Sequence, residues 1–118
     1  MTTDGDRRKE LRAAYEQRRT EAGVYVLRNT VTGRVFLGSA PDLAAVRNRL
    51  EFGQATGTSG VLDRRLAADA HAHGMGSFEL EILDVLILPD GTPPDVVAAD
   101  LKELEALWRE KLADVPQY

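Results

Sequence analysis

Two short segments rich in β-branched and aromatic residues, joined by a Thr-Val-Thr-Gly turn, restrict this chain more than any other feature. The segments lie at residues 23–29 and 34–38, and both suit extended backbone. The turn ends in Gly33, which can adopt the positive φ that a tight reversal requires. The sequence therefore predicts a β-hairpin near its start, and the remaining elements have to cover that hairpin.

The other elements follow from apolar periodicity and from residues that begin or end helices. Proline and aspartate at positions 41 and 42 suit the first turn of a helix, and Gly74 suits a helix end. Helices are predicted at residues 6–20, 41–53, 61–73 and 95–113, and a third strand at residues 78–88. A hairpin followed mainly by helices favours an α+β sandwich over a βαβ winding. We place a charged N-terminal helix at residues 1–21 and one domain at residues 22–118.

The absence of cysteine excludes several kinds of site. Without thiols the chain has no disulfide framework, thiolate zinc site, iron–sulfur cluster or cysteine nucleophile. No apolar run approaches the ~18 residues of a membrane-spanning helix, so we expect no membrane partner. The segment 1–9 is polar and lacks the apolar region of a secretory signal, so the cytoplasm is the expected location.

Charge is distributed unevenly along the chain. Residues 1–66 hold twelve Arg or Lys against eight Asp or Glu, whereas residues 67–118 hold three against eleven. The basic half can offer guanidinium groups to a phosphate backbone, while the acidic half would repel one and suits a protein partner. Four arginines of the predicted central helices form the candidate nucleic-acid-binding set: Arg47, Arg49, Arg64 and Arg65. The alternative is a solvated surface whose arginines make ion pairs with the acidic half.

Glu105 is the most informative acidic residue. On a helical wheel it falls at the rim of the apolar stripe of the last helix, about 60° from Trp108. A carboxylate there is partly desolvated and requires a cation, a hydrogen-bond donor or a metal ion, of which an ion pair with an arginine is the plainest. His71 and His73 are two residues apart, so on a helix they point in nearly opposite directions and form no metal-binding pair.

The hairpin also contains two tripeptides in a distinctive order. Gly23-Val24-Tyr25 precedes Phe36-Leu37-Gly38, and an Asn-Thr-x-x-Gly turn lies between them. This pattern resembles the GIY-YIG nuclease family, and the likeness extends over about residues 22–112. The resemblance implies a small sandwich built on a three-stranded antiparallel sheet flanked by helices. It also implies metal-dependent hydrolysis of phosphodiesters, with DNA as the expected partner.

Several positions match the family's functional residues. Tyr25 corresponds to the tyrosine that acts as general base or nucleophile partner. Glu105 corresponds to the helix glutamate that holds one divalent cation, Mg²⁺ or Mn²⁺. Gly23, Phe36 and Gly38 occupy the structural positions of the two tripeptides. In such a site the metal ion neutralises the leaving oxygen while an activated hydroxyl group attacks in line.

Other positions depart from the family pattern. Phe36 stands where the second tripeptide has tyrosine, and Val46 and Leu50 stand where an arginine and a histidine are expected. A phenyl ring cannot donate, accept or ionise, so the family's usual proton route is missing. Arg47 or Arg49 could take the role of the phosphate-binding arginine, and Tyr25 or a histidine could serve as base. The predicted catalytic set is Tyr25 and Arg49.

These matches and departures predict a nuclease-like domain that cleaves weakly or not at all and binds nucleic acid. Two alternatives stay open on the sequence. One is an active metal-dependent DNA endonuclease whose site is rearranged around Tyr25 and Glu105. The other is a protein-interaction module that uses the acidic C-terminal half and does not bind nucleic acid.

Overall fold

The computed structural model describes residues 20–118, apart from the side chain of Val61, and this part of the chain holds three strands and three helices. The strands are β1 (Ala22–Asn29), β2 (Val35–Ala40) and β3 (Phe78–Leu86), and the helices are α1 (Leu43–Thr56), α2 (Arg64–His73) and α3 (Pro94–Lys111). The predicted α+β class is confirmed. The predicted N-terminal helix lies outside the described residues, except for residues 20 and 21, which are not helical. None of α1, α2 and α3 is long and apolar enough to cross a membrane.

Helix α1 differs from its predicted bounds at both ends. It begins after Asp42, whose carboxylate accepts hydrogen bonds from two backbone amides of the first turn, so this residue is the N-cap. It continues through the buried Gly53, the predicted end, and stops at Gly57. Gly57 has a φ of 69°, the left-handed conformation that ends helices and that glycine adopts without strain.

Other boundaries shift by one to three residues. Helix α2 begins at Arg64 rather than at residue 61, because the carboxylate of Asp63 accepts a hydrogen bond from the backbone N–H of Arg65 and caps the helix. A short 3₁₀ turn, Ser59–Val61, takes the place of the predicted first turn. Strand β3 ends at Leu86 rather than at residue 88, and α3 spans residues 94–111 rather than 95–113.

The sheet has the strand order β2-β1-β3, and both pairings are antiparallel. Strand β1 is therefore central, with Tyr25 opposite Gly38 of β2 and opposite Ile82 of β3. The register with β3 shifts between Val24 and Tyr25, because Val24 pairs with Asp84 and leaves one residue of β3 unpaired. This bulge lies beside the first tripeptide of the hairpin.

Alternation along β1 divides the core between the two faces of the sheet. One face packs against α3 and the residues after it, through Val24, Val26, Val35, Leu37, Leu83, Leu104, Trp108, Leu112 and Val115. The other face packs against α1 and α2, through Tyr25, Leu27, Phe36, Leu50, Leu66, Ala70, Phe78 and Leu80. Both faces of a small sheet are thereby covered, and Tyr25 belongs to the α1 and α2 side.

The residues after α3 return along β2 and pack on both faces of the sheet. Val115 lies on the α3 face and Tyr118 on the face that α1 and α2 cover. The backbone N–H of Val35 donates to the carbonyl oxygen of Pro116 at 2.9 Å, and the N–H of Tyr118 donates back to Val35 at 3.0 Å. The hydroxyl of Tyr118 donates to Asp69 of α2 at 2.6 Å and accepts from the fully buried Asn29 at 3.0 Å. This tail links β1, β2 and α2, and no pattern in the sequence predicts it.

Two glycines of the hairpin are required by close contacts. A Cβ atom at Gly23 would clash with the backbone carbonyl oxygen of Asp84, at the bulge in β3. A Cβ atom at Gly38 would lie 2.7 Å from the ring and hydroxyl of Tyr25. Gly23 thus lets β3 approach β1, and Gly38 makes room for the tyrosine ring across β2.

Alanine substitutions at these glycines should differ in cost. Gly23→Ala is expected to lower the free energy of unfolding by about 2 kcal/mol or more, because the clashing atom belongs to the backbone. Gly38→Ala should cost less, because the tyrosine ring can move, and should cost almost nothing in a Tyr25→Leu background. Urea unfolding of the single and double variants measures this. An equal cost of Gly38→Ala with and without Tyr25 would contradict the packing.

The tail network gives a second stability prediction. Tyr118→Phe removes the hydroxyl shared by Asp69 and Asn29, and should lower the free energy of unfolding by about 1–2 kcal/mol. The loss should be smaller in an Asp69→Ala background, because the main acceptor is already gone. Denaturant unfolding of the two single variants and the double variant measures the coupling. Fully additive costs would refute a shared network.

Candidate functional site

A cavity of about 330 Å³ opens where α1 and the start of α2 meet the sheet. Its lining residues are Tyr25, Leu27, Phe36, Val46, Arg49, Leu50, Leu62 and Asp63. Five of these eight are apolar, and only one cation and one carboxylate are among them. The cavity brings together three predicted site residues, Tyr25, Phe36 and Arg49, although they are separated along the chain.

Tyr25 projects its partly buried phenol into this cavity from the central strand. Burial raises the pKa of the Tyr25 phenol, Arg49 opposes that rise, and Glu105 and Asp63 add to it. A neutral phenol is therefore the dominant form of this side chain well beyond neutral pH. Tyr25 can donate or accept a hydrogen bond, but its hydroxyl holds its proton more firmly than a tyrosine in water does.

Asp63 and Arg65 form a rigid polar edge beside Phe36. The Nε of Arg65 donates to Asp63 Oδ1 at 3.0 Å and its Nη2 donates to Oδ2 at 3.3 Å. These hydrogen bonds lower the pKa of the Asp63 carboxyl, which is thus ionised at neutral pH. The same guanidinium lies over the Phe36 ring, with its carbon 5.0 Å from the ring centroid. Phe36 is thereby part of a stacked, charged wall and not of a proton-transfer chain.

The four candidate arginines have different positions around this cavity. Arg49 lines it, and Arg65 covers Phe36 at its edge. Arg64 is exposed at the start of α2, where its charge acts on Asp63. Arg47 is exposed on α1 but does not line the cavity, because two residues along a helix turn a side chain about 200°. The structure therefore groups three of the four predicted arginines.

Glu105 lies on α3, which packs on the opposite face of the sheet from α1 and α2. Its carboxylate is 3.7 Å from the guanidinium of Arg109, one helical turn further on, and its side chain is 23% exposed. Glu105 is partly buried, as expected, and it forms the expected ion pair with an arginine, Arg109. Its charge nevertheless reaches Tyr25, since it raises the pKa of that phenol.

The side chains around Glu105 define what kind of metal site it can support. Within residues 20–118 no group of three or more His, Asp or Glu is arranged to hold a metal ion. Mg²⁺ is commonly bound through one or two carboxylates, with water and substrate phosphates supplying the other ligands. Glu105 fits that mode as the single protein carboxylate, and a divalent cation there stays a prediction. His71 and His73 are exposed at the end of α2 and do not line the cavity.

The departures from the family pattern are concentrated in the cavity wall. Phe36, Val46 and Leu50 all line it, and Leu50 is only 5% exposed within the core cluster of that face. The positions expected to be polar thus form apolar packing between β2 and α1. Asp63 is the polar residue that sequence reasoning missed. Aspartate is a favoured N-cap residue, but Asp63 falls inside the predicted helix 61–73, so this signal was read as part of the helix.

Comparison with solved structures finds this fold in a nuclease. The catalytic domain of the homing endonuclease I-TevI, a GIY-YIG nuclease, is 26% identical with a TM-score of 0.53, over 78% of this chain and 88% of that domain. A variant of the same domain with a glutamate replaced by alanine is 25% identical with a TM-score of 0.45, over 71% and 84%. No protein-family model and no curated protein sequence matches the chain. The chain is similar in fold to the catalytic domain of a GIY-YIG homing endonuclease.

Proposed function

We propose that this protein is a nuclease-like domain that binds nucleic acid and cleaves it weakly or not at all. The observation behind this proposal is the apolar wall of the cavity, formed by Phe36, Val46 and Leu50. The fold belongs with nucleases, whereas the wall lacks the ionisable groups that the family pattern expects at those three positions. The nuclease-like fold and the apolar wall together support binding of nucleic acid without efficient hydrolysis.

Hydrolysis of a phosphodiester needs a group that accepts a proton and groups that stabilise charge on the phosphate. Tyr25 is the one phenol in the cavity, and its raised pKa makes it a poor base at neutral pH. Arg49 can donate to one phosphate oxygen but supplies no base. A divalent cation at Glu105, when bound, would neutralise charge on the phosphate. The rate would still be limited, because Asp63, the carboxylate of the cavity, already accepts three hydrogen bonds from Arg65.

The arginines support binding. Arginine forms paired hydrogen bonds to phosphate oxygens and keeps its charge at all relevant pH values. Arg49 makes no ion pair with another described residue, so no carboxylate within residues 20–118 competes with a ligand for its donors. The acidic residues of α3 lie in the layer on the other face of the sheet, away from α1 and α2. A polyanion can therefore approach the α1 and α2 side.

A binding experiment tests this proposal. Fluorescence anisotropy with a labelled oligonucleotide at low salt should detect binding that weakens steeply as salt rises, without sequence preference. Replacing Arg47, Arg49, Arg64 and Arg65 with alanine should abolish it. The control variant Lys102→Ala/Lys111→Ala removes cations from α3 and should bind nearly as well as the wild type. Unchanged binding by the arginine variant would refute the surface.

A cleavage experiment separates the proposal from its alternatives. With supercoiled DNA and Mg²⁺ or Mn²⁺, the wild type is expected to produce no more than traces of nicked product. Robust cleavage that requires the metal ion and is lost in Glu105→Gln would establish the rearranged endonuclease instead. If the wild type shows neither binding nor cleavage at low salt, the result favours the alternative of a protein partner on the acidic C-terminal half.

The state of Tyr25 can be measured directly. The difference in phenolate absorbance between the wild type and Tyr25→Phe should give a pKa above the ordinary value of about 10. Arg49→Ala should raise this pKa further, and Glu105→Gln should lower it. Because the folded pKa is raised, the neutral phenol's contribution to stability is complete below about pH 10 and is lost as pH rises through the folded pKa. A pKa at or below the ordinary value would contradict the buried, neutral phenol.

A further inference from the structure

The interior of the cavity is poorly suited to a phosphate group. Asp63 lines it with an ionised carboxylate. The negative charge of Glu105 also acts on Tyr25, another lining residue, whose pKa it raises. Arg49 is the one cation among the lining residues. An anion inside would therefore meet like charge and an apolar wall, whereas a neutral, flat, partly polar group would not.

We propose that the cavity takes one unpaired nucleobase, so that the protein binds single-stranded DNA in preference to the duplex. This inference rests on the proposed function, because it names the form of nucleic acid that the same surface recognises. The volume of about 330 Å³ lies at the small end of ligand pockets. It suits one aromatic ring system and not the width of a base pair inside its helix.

Stacking surfaces are present in the cavity wall. Bases stack on aromatic rings and on arginine planes, and each stacked base contributes about 1–3 kcal/mol by alanine substitution. Phe36 and the Arg65 guanidinium above it form one such surface, and the ring of Tyr25 lies on the neighbouring strand. Phe36 lacks the hydroxyl of the tyrosine that the family pattern expects, and its ring supports the Arg65 guanidinium, on whose plane a base can stack.

Polar groups at the mouth can satisfy the edge of a base. A carboxylate accepts about four hydrogen bonds, and Asp63 already accepts three, all from Arg65. One acceptor position is left for an amino or imino group of a base. The Tyr25 hydroxyl, held neutral, is a second donor or acceptor among the lining residues. Arg49 and Arg64, beside the mouth, would then meet the phosphates that flank the inserted nucleotide.

A comparison of oligonucleotides tests the proposal. Binding is measured by anisotropy at low salt for a single strand, the duplex of the same sequence and a single strand of abasic sites. The single strand should bind about 5- to 150-fold more tightly than the abasic strand, the range that one stacked base gives. The duplex should bind about as weakly as the abasic strand. Equal affinity for all three, or tighter binding of the duplex, would overturn the base pocket while leaving the proposed nucleic-acid binding intact.

Variants then locate the base. Phe36→Leu keeps an apolar side chain but removes the flat ring, and should weaken single-strand binding at least about fivefold while leaving abasic-strand binding unchanged. Phe52→Leu is the matched control, since Phe52 is 59% exposed on α1 and does not line the cavity. A loss in Phe52→Leu but not in Phe36→Leu would move the base out of the cavity and overturn the proposal.

Two further checks distinguish loss of stacking from unfolding of the variant. Thermal unfolding followed by circular dichroism verifies that Phe36→Leu is folded at the assay temperature. If that variant unfolds, Arg65→Ala replaces it, because it removes the guanidinium plane over Phe36 from an exposed position. Its single-strand binding should fall more than its abasic-strand binding, and equal losses would contradict stacking. No binding of any oligonucleotide by the wild type would refute the proposed function and this inference with it.

Discussion

The packing of the Tyr25 ring across Gly38 is the contact on which both the hairpin and the cavity depend. The two residues are register partners on β1 and β2, and any side chain at Gly38 would displace the ring. On the other side of β1, Gly23 lets the carbonyl oxygen of Asp84 approach at the bulge. The central strand is thus fixed by two close approaches, one to each neighbour. As a result Tyr25 has one direction to point, into the space under α1.

The space under α1 is lined mainly by apolar side chains, three of them at positions where the family pattern expects polar residues. Leu50 is nearly fully buried in the core cluster beneath α1, and Phe36 and Val46 extend the same apolar surface. Burying a side chain of this size contributes roughly 1.5–3 kcal/mol, whereas an arginine or histidine there would have to keep its polar atoms solvated or paired. A catalytic site retains such unfavourable polar groups because the reaction needs them. Here the three positions give apolar packing, and the charged residues that line the cavity with Tyr25 are Arg49 and Asp63.

The features that could be predicted from the sequence are those with a local cause. The hairpin follows from β-branched residues on both sides of a glycine turn, and the apolar face of α3 follows from helical spacing. The tail does not, since Asn29 and Tyr118 are 89 positions apart and no periodicity connects them. Asp63 was missed for a related reason: as an N-cap it has a local signal, but its place at the cavity depends on how α2 meets the sheet. Likewise a shared helix suggested that Arg47 and Arg49 act together, although their separation on α1 turns them apart.

The charges around the cavity favour anionic groups outside it and neutral groups inside it. Asp63 is held by Arg65, so the pair presents a dipole and a stacked plane with little net charge. Glu105 is tied to Arg109 on the far side of the sheet, whereas Arg49 and Arg64 make no ion pair within residues 20–118. Attraction for a polyanion is therefore strongest outside the cavity, and the interior favours neutral groups. A nucleotide chain meets both conditions at once, because its charge lies on the backbone and its neutral rings project away from it.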